Sequence, residues 1–281
     1  MKSENHLAEI ERIEKKALDD LFEQAPETLR AQLGLERHRV AGGTLYLARR
    51  EPNILLNRVL GMEPESAADI DAVQTLYREA GITEYFVQVQ PWSRPAPIWT
   101  WLFEAGLARS RGWTQFIRDG QSVELPDSPL RVEKIDAGQA TAFARIAAAG
   151  FDLCEKAVPL VAGLVGHPAW HHFMTFLDEQ PVGAAALRVE DGVGWFDWSA
   201  TRSEFRGRGS QTLLLATRIR KANELGCHTL CSETGEAVPG DPQHSFHNLV
   251  RAGFRPTHTR DNFAPAAVTD ASGRIPLAQS S

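Results

Sequence analysis

The stretch "TRSEFRGRGSQTLLL", residues 201–215, joins a polar loop with two glycines to an apolar helix. The first backbone N–H groups of a helix have no partner within the helix, and the helix dipole makes that end partly positive. Glycines let the backbone approach an anion closely, and Arg206 and Arg208 add positive charge. The stretch therefore predicts a phosphate-binding turn. The alternative is a plain strand-to-helix turn with solvated arginines.

Other phosphate-binding motifs fit this loop less well. The P-loop requires Gly-Lys-Ser/Thr, which is absent. Gly207 and Gly209 match the first glycines of a dinucleotide-binding turn, and Glu233 ends the next strand at about the right distance for a ribose partner. However, Thr212 stands where the third glycine belongs, and polar residues separate the preceding strand from the loop glycines.

The segments around the loop alternate between extended and helical patterns. Three extended runs precede the loop and are separated by hairpin-type turns: "WHHFMTFL", "PVGAAALRV" and "GVGWFDWSAT". After the helix come a strand, a second helix and a last extended stretch: "HTLCSE", "PQHSFHNLVRAG" and "FRPTHTRDNF". This order predicts an α+β fold in which antiparallel strands lead into the loop.

An internal repeat extends this organisation to the first half. The segment "WLFEAGLARSRGWTQF" from Trp101 aligns with "NLVRAGFRPTHTRDNF" from Asn248, at a spacing of about 150 residues, which is the size of a domain. Read backwards from these segments, each half has the order strand, strand, helix, strand, helix, strand. We interpret this as a duplication, with a chance match of common helix–Ala-Gly–strand junctions as the alternative. Residues 119–130 are rich in turn-forming residues and form the best linker.

The loop and its surroundings resemble the GNAT superfamily of acyl-CoA N-acetyltransferases. The family's cofactor loop reads Gln/Arg-x-x-Gly-x-Gly/Ala, and Arg206–Gly209 match its first four positions. The last position departs from the pattern because it is Gln211. The motif "NLVRAGF" near the end adds to the resemblance, which covers residues 129–265 well and residues 36–118 only weakly.

The whole chain thus resembles a tandem GNAT protein. The resemblance implies two GNAT-like domains, each with a mixed, mostly antiparallel sheet flanked by helices. A degenerate N-terminal domain would span residues 1–125, and an acetyl-CoA-binding domain would span residues 126–281.

The resemblance also implies where acetyl-CoA, the cosubstrate, would bind. In the family, loop N–H groups hold the CoA pyrophosphate, and the pantetheine arm lies where the preceding strand splays from the next parallel strand. Carried over to this chain, the phosphates would lie on Arg206, Gly207, Arg208, Gly209, Ser210 and Gln211. Ala200 and Thr201 would contact the pantetheine, and Ser245 and Asn248 would lie near the arm or the thiol.

Acetyl transfer requires a base for the amine and a proton donor for the departing thiolate. Glu233 and Asp197, on the two strands expected to flank the thioester, are the candidate bases, and each could instead be a structural or solvated carboxylate. The family often places a tyrosine acid on the last helix, where this chain has Leu249. All 3 tyrosines lie in the first half.

We therefore expect N-acetyltransfer to a small-molecule or peptide amine that no residue identifies. Two other functions stay open. A non-catalytic acyl-CoA-binding or regulatory protein is compatible with the missing tyrosine and with Gln211. A dinucleotide-binding oxidoreductase is compatible with the paired glycines and disfavoured by the spacing between strand and loop.

Composition narrows the possible partners and the compartment. The 281 residues carry a formal net charge of −6, which argues against nucleic-acid and anionic-membrane partners. The 3 cysteines have no disulfide-like spacing, which favours a reducing compartment. The start has no apolar core of signal-peptide length, and we expect a cytoplasmic location. Cys227 and Cys231 are too few ligands for zinc, so no metal is expected.

The loop of the first half that corresponds to the phosphate turn has another chemistry. It reads "MEPESAAD", without arginine and with Glu63 and Glu65. These glutamates would repel a pyrophosphate. Ser66 is placed to cap the following helix. The sequence predicts that this half folds like the second but does not bind CoA.

Overall fold

The computed structural model describes residues 2–90, 92 and 97–266. Its contacts divide the chain into two compact units. Among the described residues, the loop-bearing unit consists of residues 2–25 together with Gln115–Thr257, and the companion unit consists of Pro26–Thr114 together with residues 258–266. The boundary expected between residues 125 and 126 rests on a sequence duplication, which spatial contacts do not test, so it stays a prediction.

The helices and strands alternate along the described chain. The helices are α1 (Lys2–Glu23), α2 (Glu27–Leu33), α3 (Ala67–Ala80), α4 (Ile98–Glu104), α5 (Ala140–Gly150), α6 (Val158–Ala162), α7 (Ser210–Glu224) and α8 (His244–Arg251). The strands are β1 (Leu35–Val40), β2 (Gly43–Ala48), β3 (Arg58–Met62), β4 (Phe86–Val89), β5 (Leu107–Asp119), β6 (Arg131–Lys134), β7 (Trp170–Leu177), β8 (Gln180–Glu190), β9 (Val193–Thr201), β10 (Thr229–Gly235) and β11 (Arg255–Pro265).

The sheet of the loop-bearing unit has the strand order β11-β5-β10-β9-β8-β7-β6. Strands β6 to β9 pair antiparallel in sequence, and β9 pairs parallel with β10. Ala200 at the end of β9 lies against Gly150 of α5, whereas the next residue, Thr201, contacts Ser210 of α7. Since successive side chains of a strand point to opposite faces, α5 and α7 cover opposite faces of the sheet.

An apolar stripe on α7 holds this helix on the sheet. Leu215 and Ile219 recur at helical spacing and are buried with Phe196 of β9 and Leu230 of β10. This packing places the first turn of α7 at the end of β9, which is where the glycine-bearing loop joins them.

The companion unit has the strand order β1-β2-β3-β4-β11-β5. Strands β1 to β3 are antiparallel, β3 and β4 are parallel, and β4 and β11 are antiparallel. Helix α3 buries Ile70, Val73 and Tyr77 in the core, and the Tyr77 hydroxyl donates to the Tyr46 carbonyl oxygen at 3.0 Å. Burial raises the pKa of Tyr77 well above its ordinary value.

The expected element order of both halves is confirmed. The series β2-β3-α3-β4-α4-β5 repeats as β8-β9-α7-β10-α8-β11, and each series contains one parallel pair between its helix-connected strands. The α+β class with mostly antiparallel pairing is likewise confirmed.

The apolar pattern of "NILLNRVLG" predicts an extended run from Asn53, whereas the structure forms a turn there and begins β3 at Arg58. The run "LERHRV" forms a further strand, β1, ahead of the repeated series. The reason for the turn is Asn57, whose buried side chain accepts a hydrogen bond from Ala48 N at 2.8 Å and donates to Glu51 O at 2.8 Å. These bonds reverse the chain although Ile54 and Leu56 are buried.

Candidate functional site

The loop between β9 and α7 is a left-handed glycine turn. A short 3-10 turn at Ser203–Phe205 is followed by Gly207 with φ +77° and by Gly209 with φ +84°. Residues other than glycine rarely adopt this left-handed backbone conformation. A Cβ at either glycine would have no atom within 4 Å. The positive φ values therefore explain why glycine occupies both positions, and the space in front of the loop is open to a ligand.

Positive side chains surround the loop. Arg206 and Arg208 are exposed, and the Arg208 guanidinium lies 5.5 Å from the centre of the Phe205 ring. A cavity of about 340 Å³ lies between the loop and the end of α5. Its lining includes Arg145, Arg202, Arg206 and Asp152. Burial raises the pKa of Asp152, so this carboxylate takes up a proton more readily than an exposed one.

Hydrogen bonds between side chains anchor the first turn of α7 to the sheet. The buried Ser210 hydroxyl lies 2.7 Å from Thr175 Oγ1, and Thr201 Oγ1 donates to Ser210 Oγ at 3.3 Å. Gln211 Nε2 donates to Thr201 Oγ1 at 2.9 Å. The glutamine that departs from the family pattern thus ties α7 to β9. Both side chains are engaged with the sheet, and the first backbone N–H groups of α7 have no partner within the helix.

Strand β9 contains a bulge shortly before the loop. Ala186 of β8 pairs with Asp197 and Ala184 pairs with Ala200, so β9 has one residue more than β8 between these pairs. Trp198, within the bulge, has φ +51°.

The bulge coincides with the end of pairing between β9 and β10. Their parallel pairs run from Thr229 with Val193 to Ser232 with Phe196. Beyond the last pair the two strands continue without further pairing to Thr201 and Gly235. The result is a gap between the strands that opens toward the glycine turn, where the resemblance implied the pantetheine arm.

The structure places Asp197 at the bulge, with both carboxylate oxygens engaged. Oδ1 accepts from the backbone N–H of Trp198 at 2.7 Å, and Oδ2 accepts from Trp195 Nε1 at 3.1 Å. Phe196 faces the core beneath α7, so the neighbouring Asp197 side chain points to the opposite face.

Glu233 lies at the same gap, one residue beyond the last β9–β10 pair. Its Oε2 accepts a hydrogen bond of 2.7 Å from Nε2 of Gln115, a fully buried residue of β5. By strand alternation from Leu230, which packs beneath α7, Glu233 faces the same side of the sheet as Asp197. Gln115, which our sequence analysis did not select, fixes the orientation of this carboxylate.

The remaining residues selected from the sequence lie on α8, which packs on β10. Ser245 is exposed and Asn248 is half-buried. Leu249 is buried in a core with Phe116, Phe196 and other apolar residues, so the position of the family's tyrosine has no proton donor. All 3 tyrosines are buried in the companion unit.

The corresponding loop of the companion unit already contains its own anion. Asp69 Oδ2 accepts from the backbone N–H groups of Ser66 at 3.1 Å and Glu65 at 2.8 Å, at the start of α3. A carboxylate therefore occupies the helix N-terminus, where a phosphate would bind. This geometry supports the prediction that this unit does not bind CoA, which remains to be tested.

Two further features are absent from the described part of the chain. No helix there is long and apolar enough to span a membrane. Within residues 2–90, 92 and 97–266, no three His, Cys, Asp or Glu side chains are grouped to hold a metal ion.

Comparison with known proteins finds a family match within the loop-bearing unit. Residues 143–254 match the acetyltransferase (GNAT) family, and no curated protein matches the sequence. A GCN5-related N-acetyltransferase from Kribbella flavida has a similar structure, with 17% identity, a TM-score of 0.62, and coverage of 91% of this chain and 95% of that one.

Two further structures share the fold. A GCN5-related N-acetyltransferase from Sphaerobacter thermophilus has 14% identity and a TM-score of 0.57, covering 84% of this chain and 83% of its own. A tandem GNAT protein from the clavulanic acid biosynthesis pathway has 16% identity and a TM-score of 0.54, covering 81% of this chain and 79% of its own. Residues 143–254 therefore match the acetyltransferase (GNAT) family, and the chain shares its fold with these structures, one of which is a tandem GNAT protein.

Proposed function

We propose that the loop-bearing unit binds acetyl-CoA and transfers its acetyl group to an amine. The observation that carries the proposal is the gap between β9 and β10, which opens into the glycine turn at the start of α7. A pyrophosphate at the turn and a pantetheine arm in the gap would follow one continuous path. The phosphates would lie on Arg206, Gly207, Arg208, Gly209, Ser210 and Gln211, and the arm on Ala200 and Thr201, with Ser245 and Asn248 near its end.

The residues at the turn fit the charge and the size of this cosubstrate. Open space lies in front of Gly207 and Gly209, and three arginines are among the residues that line the adjacent cavity. Unpaired N–H groups at a helix start bind phosphate favourably. The dinucleotide-binding alternative fits this unit less well. Strand β9 separates from β10 before the loop, which leaves the gap that a pantetheine arm requires.

Acetyl-CoA supplies the acetyl group as a thioester. We propose Glu233 as the base that takes a proton from the attacking amine, directly or through water. Its carboxylate is oriented by Gln115 and lies at the edge of the gap, whereas the carboxylate of Asp197, the other candidate, binds the backbone N–H of Trp198 within the bulge. As the new C–N bond forms and the C–S bond breaks, the thiolate takes its proton from solvent, since Leu249 supplies none.

A non-catalytic acyl-CoA-binding protein is the second candidate. The observation that favours it is the buried leucine at the position of the family's acid.

Two measurements separate these functions. Calorimetric titration with acetyl-CoA, CoA and NAD tests the ligand, and we expect binding of the first two only. Thiol release with a panel of small-molecule and peptide amines tests the reaction. Binding without amine-dependent thiol release favours the non-catalytic candidate, and binding of NAD alone refutes both.

A further inference from the structure

The Arg218 side chain is fully buried on α7, eight residues after the helix start. Its Nη1 donates to the carbonyl oxygens of Ala186 at 3.0 Å and Asp197 at 3.3 Å, and its Nε donates to Leu214 O at 3.2 Å. The guanidinium also lies 4.8 Å from the centre of the Phe196 ring. Burial lowers the pKa of Arg218 to about 9, which shows that the protein stabilises the charged form less than water does.

The carbonyl groups held by Arg218 belong to the last strand pair before the bulge. Ala186 of β8 and Asp197 of β9 are register partners, and the extra residue of β9 follows them. A bulge disrupts the regular ladder and leaves main-chain polar groups without strand partners. Arg218 supplies donors to the carbonyl oxygens on one side of the bulge, and the Asp197 carboxylate supplies an acceptor to Trp198 N on the other.

We propose that Arg218 and Asp197 are positioning residues that hold the β9 bulge and thereby keep open the gap for the pantetheine arm. This inference rests on the proposed function. Asp197 then acts through the backbone rather than on the amine. Helix α7 serves both parts of the cosubstrate, because its first turn faces the phosphates and Arg218, two turns later, holds the strand beside the arm.

The test compares two ligands on folded variants. Acetyl-CoA occupies the turn and the gap, whereas its nucleotide part, 3′-phospho-ADP, occupies the turn alone. For Arg218→Met, which keeps much of the side-chain volume, we expect the Kd of acetyl-CoA to rise about tenfold or more, as for loss of a hydrogen bond to a charged group. The Kd of 3′-phospho-ADP should stay unchanged, and Arg218→Lys should recover part of the loss.

Arg220→Met is the matched control, since Arg220 is exposed on the same helix and should affect neither ligand. Asp197→Ala removes the acceptor for Trp198 N and the negative charge that favours protonated Arg218, while the Arg218 side chain stays in place, and we expect the same selective loss. If Arg218→Met does not fold, Asp197→Ala decides the proposal alone.

Three outcomes overturn the inference. Unchanged affinity for acetyl-CoA, or an equal loss for both ligands, in the deciding variant means that the bulge is not held in this way or that the effect is global. If the wild-type protein binds neither ligand, the proposed function fails, and this inference fails with it.

Discussion

At the scale of single residues, some positions of the candidate site offer their backbone to a ligand and others offer their side chain. Gly207 and Gly209 contribute a backbone conformation and open space. Ser210 and Gln211 turn their side chains toward the sheet and leave only N–H groups for a ligand. Glu233, by contrast, offers a side chain that a buried amide orients at the gap. The proposed phosphate binding and proton transfer thus rest on different kinds of groups.

The substitution Gly209→Glu tests the phosphate turn. We expect loss of acetyl-CoA binding, because the new carboxylate would occupy the open space in front of the turn and repel the pyrophosphate. Gly226→Glu is the control: Gly226 lies just past the other end of α7, has φ +75°, and also has no atom within 4 Å of a new Cβ. Calorimetry on both folded variants measures the effect, and equal affinities would refute the turn as the phosphate site.

The pair Glu233→Gln and Asp197→Asn tests the base. Removing the base should lower kcat mostly at low pH, where the amine is protonated, and should leave acetyl-CoA affinity unchanged. We expect this pH-dependent loss for Glu233→Gln, while Asp197→Asn should keep the wild-type shape of the pH profile. The pH dependence of thiol release measures it. Full activity of Glu233→Gln at every pH would show that water or the acceptor itself takes the proton.

At the scale of elements, the close approach of α7 to β8 positions the site. A Cβ on Gly183 of β8 would overlap the Ser210 hydroxyl and come within 2.6 Å of Thr175 Oγ1. Only a glycine leaves room for the first turn of α7 to bond to the sheet here. Farther along the helix, Arg218 holds β9 at its bulge. One helix therefore sets both the turn and the gap.

Gly183→Ala should weaken this contact. Overpacking against Ser210 and Thr175 should reduce the free energy of unfolding by about 1–3 kcal/mol. Denaturant unfolding measures the change. Adding Ser210→Ala removes one of the two overlapping hydroxyl groups and should restore part of the stability. A single variant as stable as the wild type would show that the helix start moves freely on β8.

At the scale of the whole molecule, the two units repeat an order of elements but differ at the helix start. Each has a parallel strand pair joined by a helix, and of these two helices α7 alone follows a glycine turn with arginines. Helix α3 follows an acidic loop and has Ser66 as its N-cap, with the Asp69 carboxylate accepting from the backbone N–H groups of Glu65 and Ser66. The repeated fold therefore offers two equivalent positions, of which one has the charge for a phosphate.

Titration of the full chain with acetyl-CoA tests this asymmetry. We expect saturation at about one equivalent per chain, because a second pyrophosphate would meet Glu63, Glu65 and Asp69 at the start of α3. Calorimetry gives the stoichiometry directly. Two equivalents, or CoA bound against residues 61–68 in a crystal structure, would contradict the prediction.

The sequence by itself determined the features that depend on neighbouring residues along the chain, namely the secondary structure and the loop motif. Hydrophobic periodicity and turn residues predicted β7, β8, β9 and α7, and the loop motif predicted the family and the acetyltransferase fold. The repeat of "AG" junctions predicted the matching element order of the two halves. Glycines, arginines and the missing tyrosine in the second half are likewise properties of the chain that need no coordinates to recognise.

Only the tertiary structure decided how distant residues meet. Gln115 and Glu233 are 118 positions apart and come together because β5 and β10 are neighbours in the sheet. Arg218 reads as one charge of an amphipathic helix, yet it is fully buried at a bulge that periodicity does not reveal. Pairing across strands and the insertion of an extra residue depend on register, which the chain specifies only when all the strands are packed together.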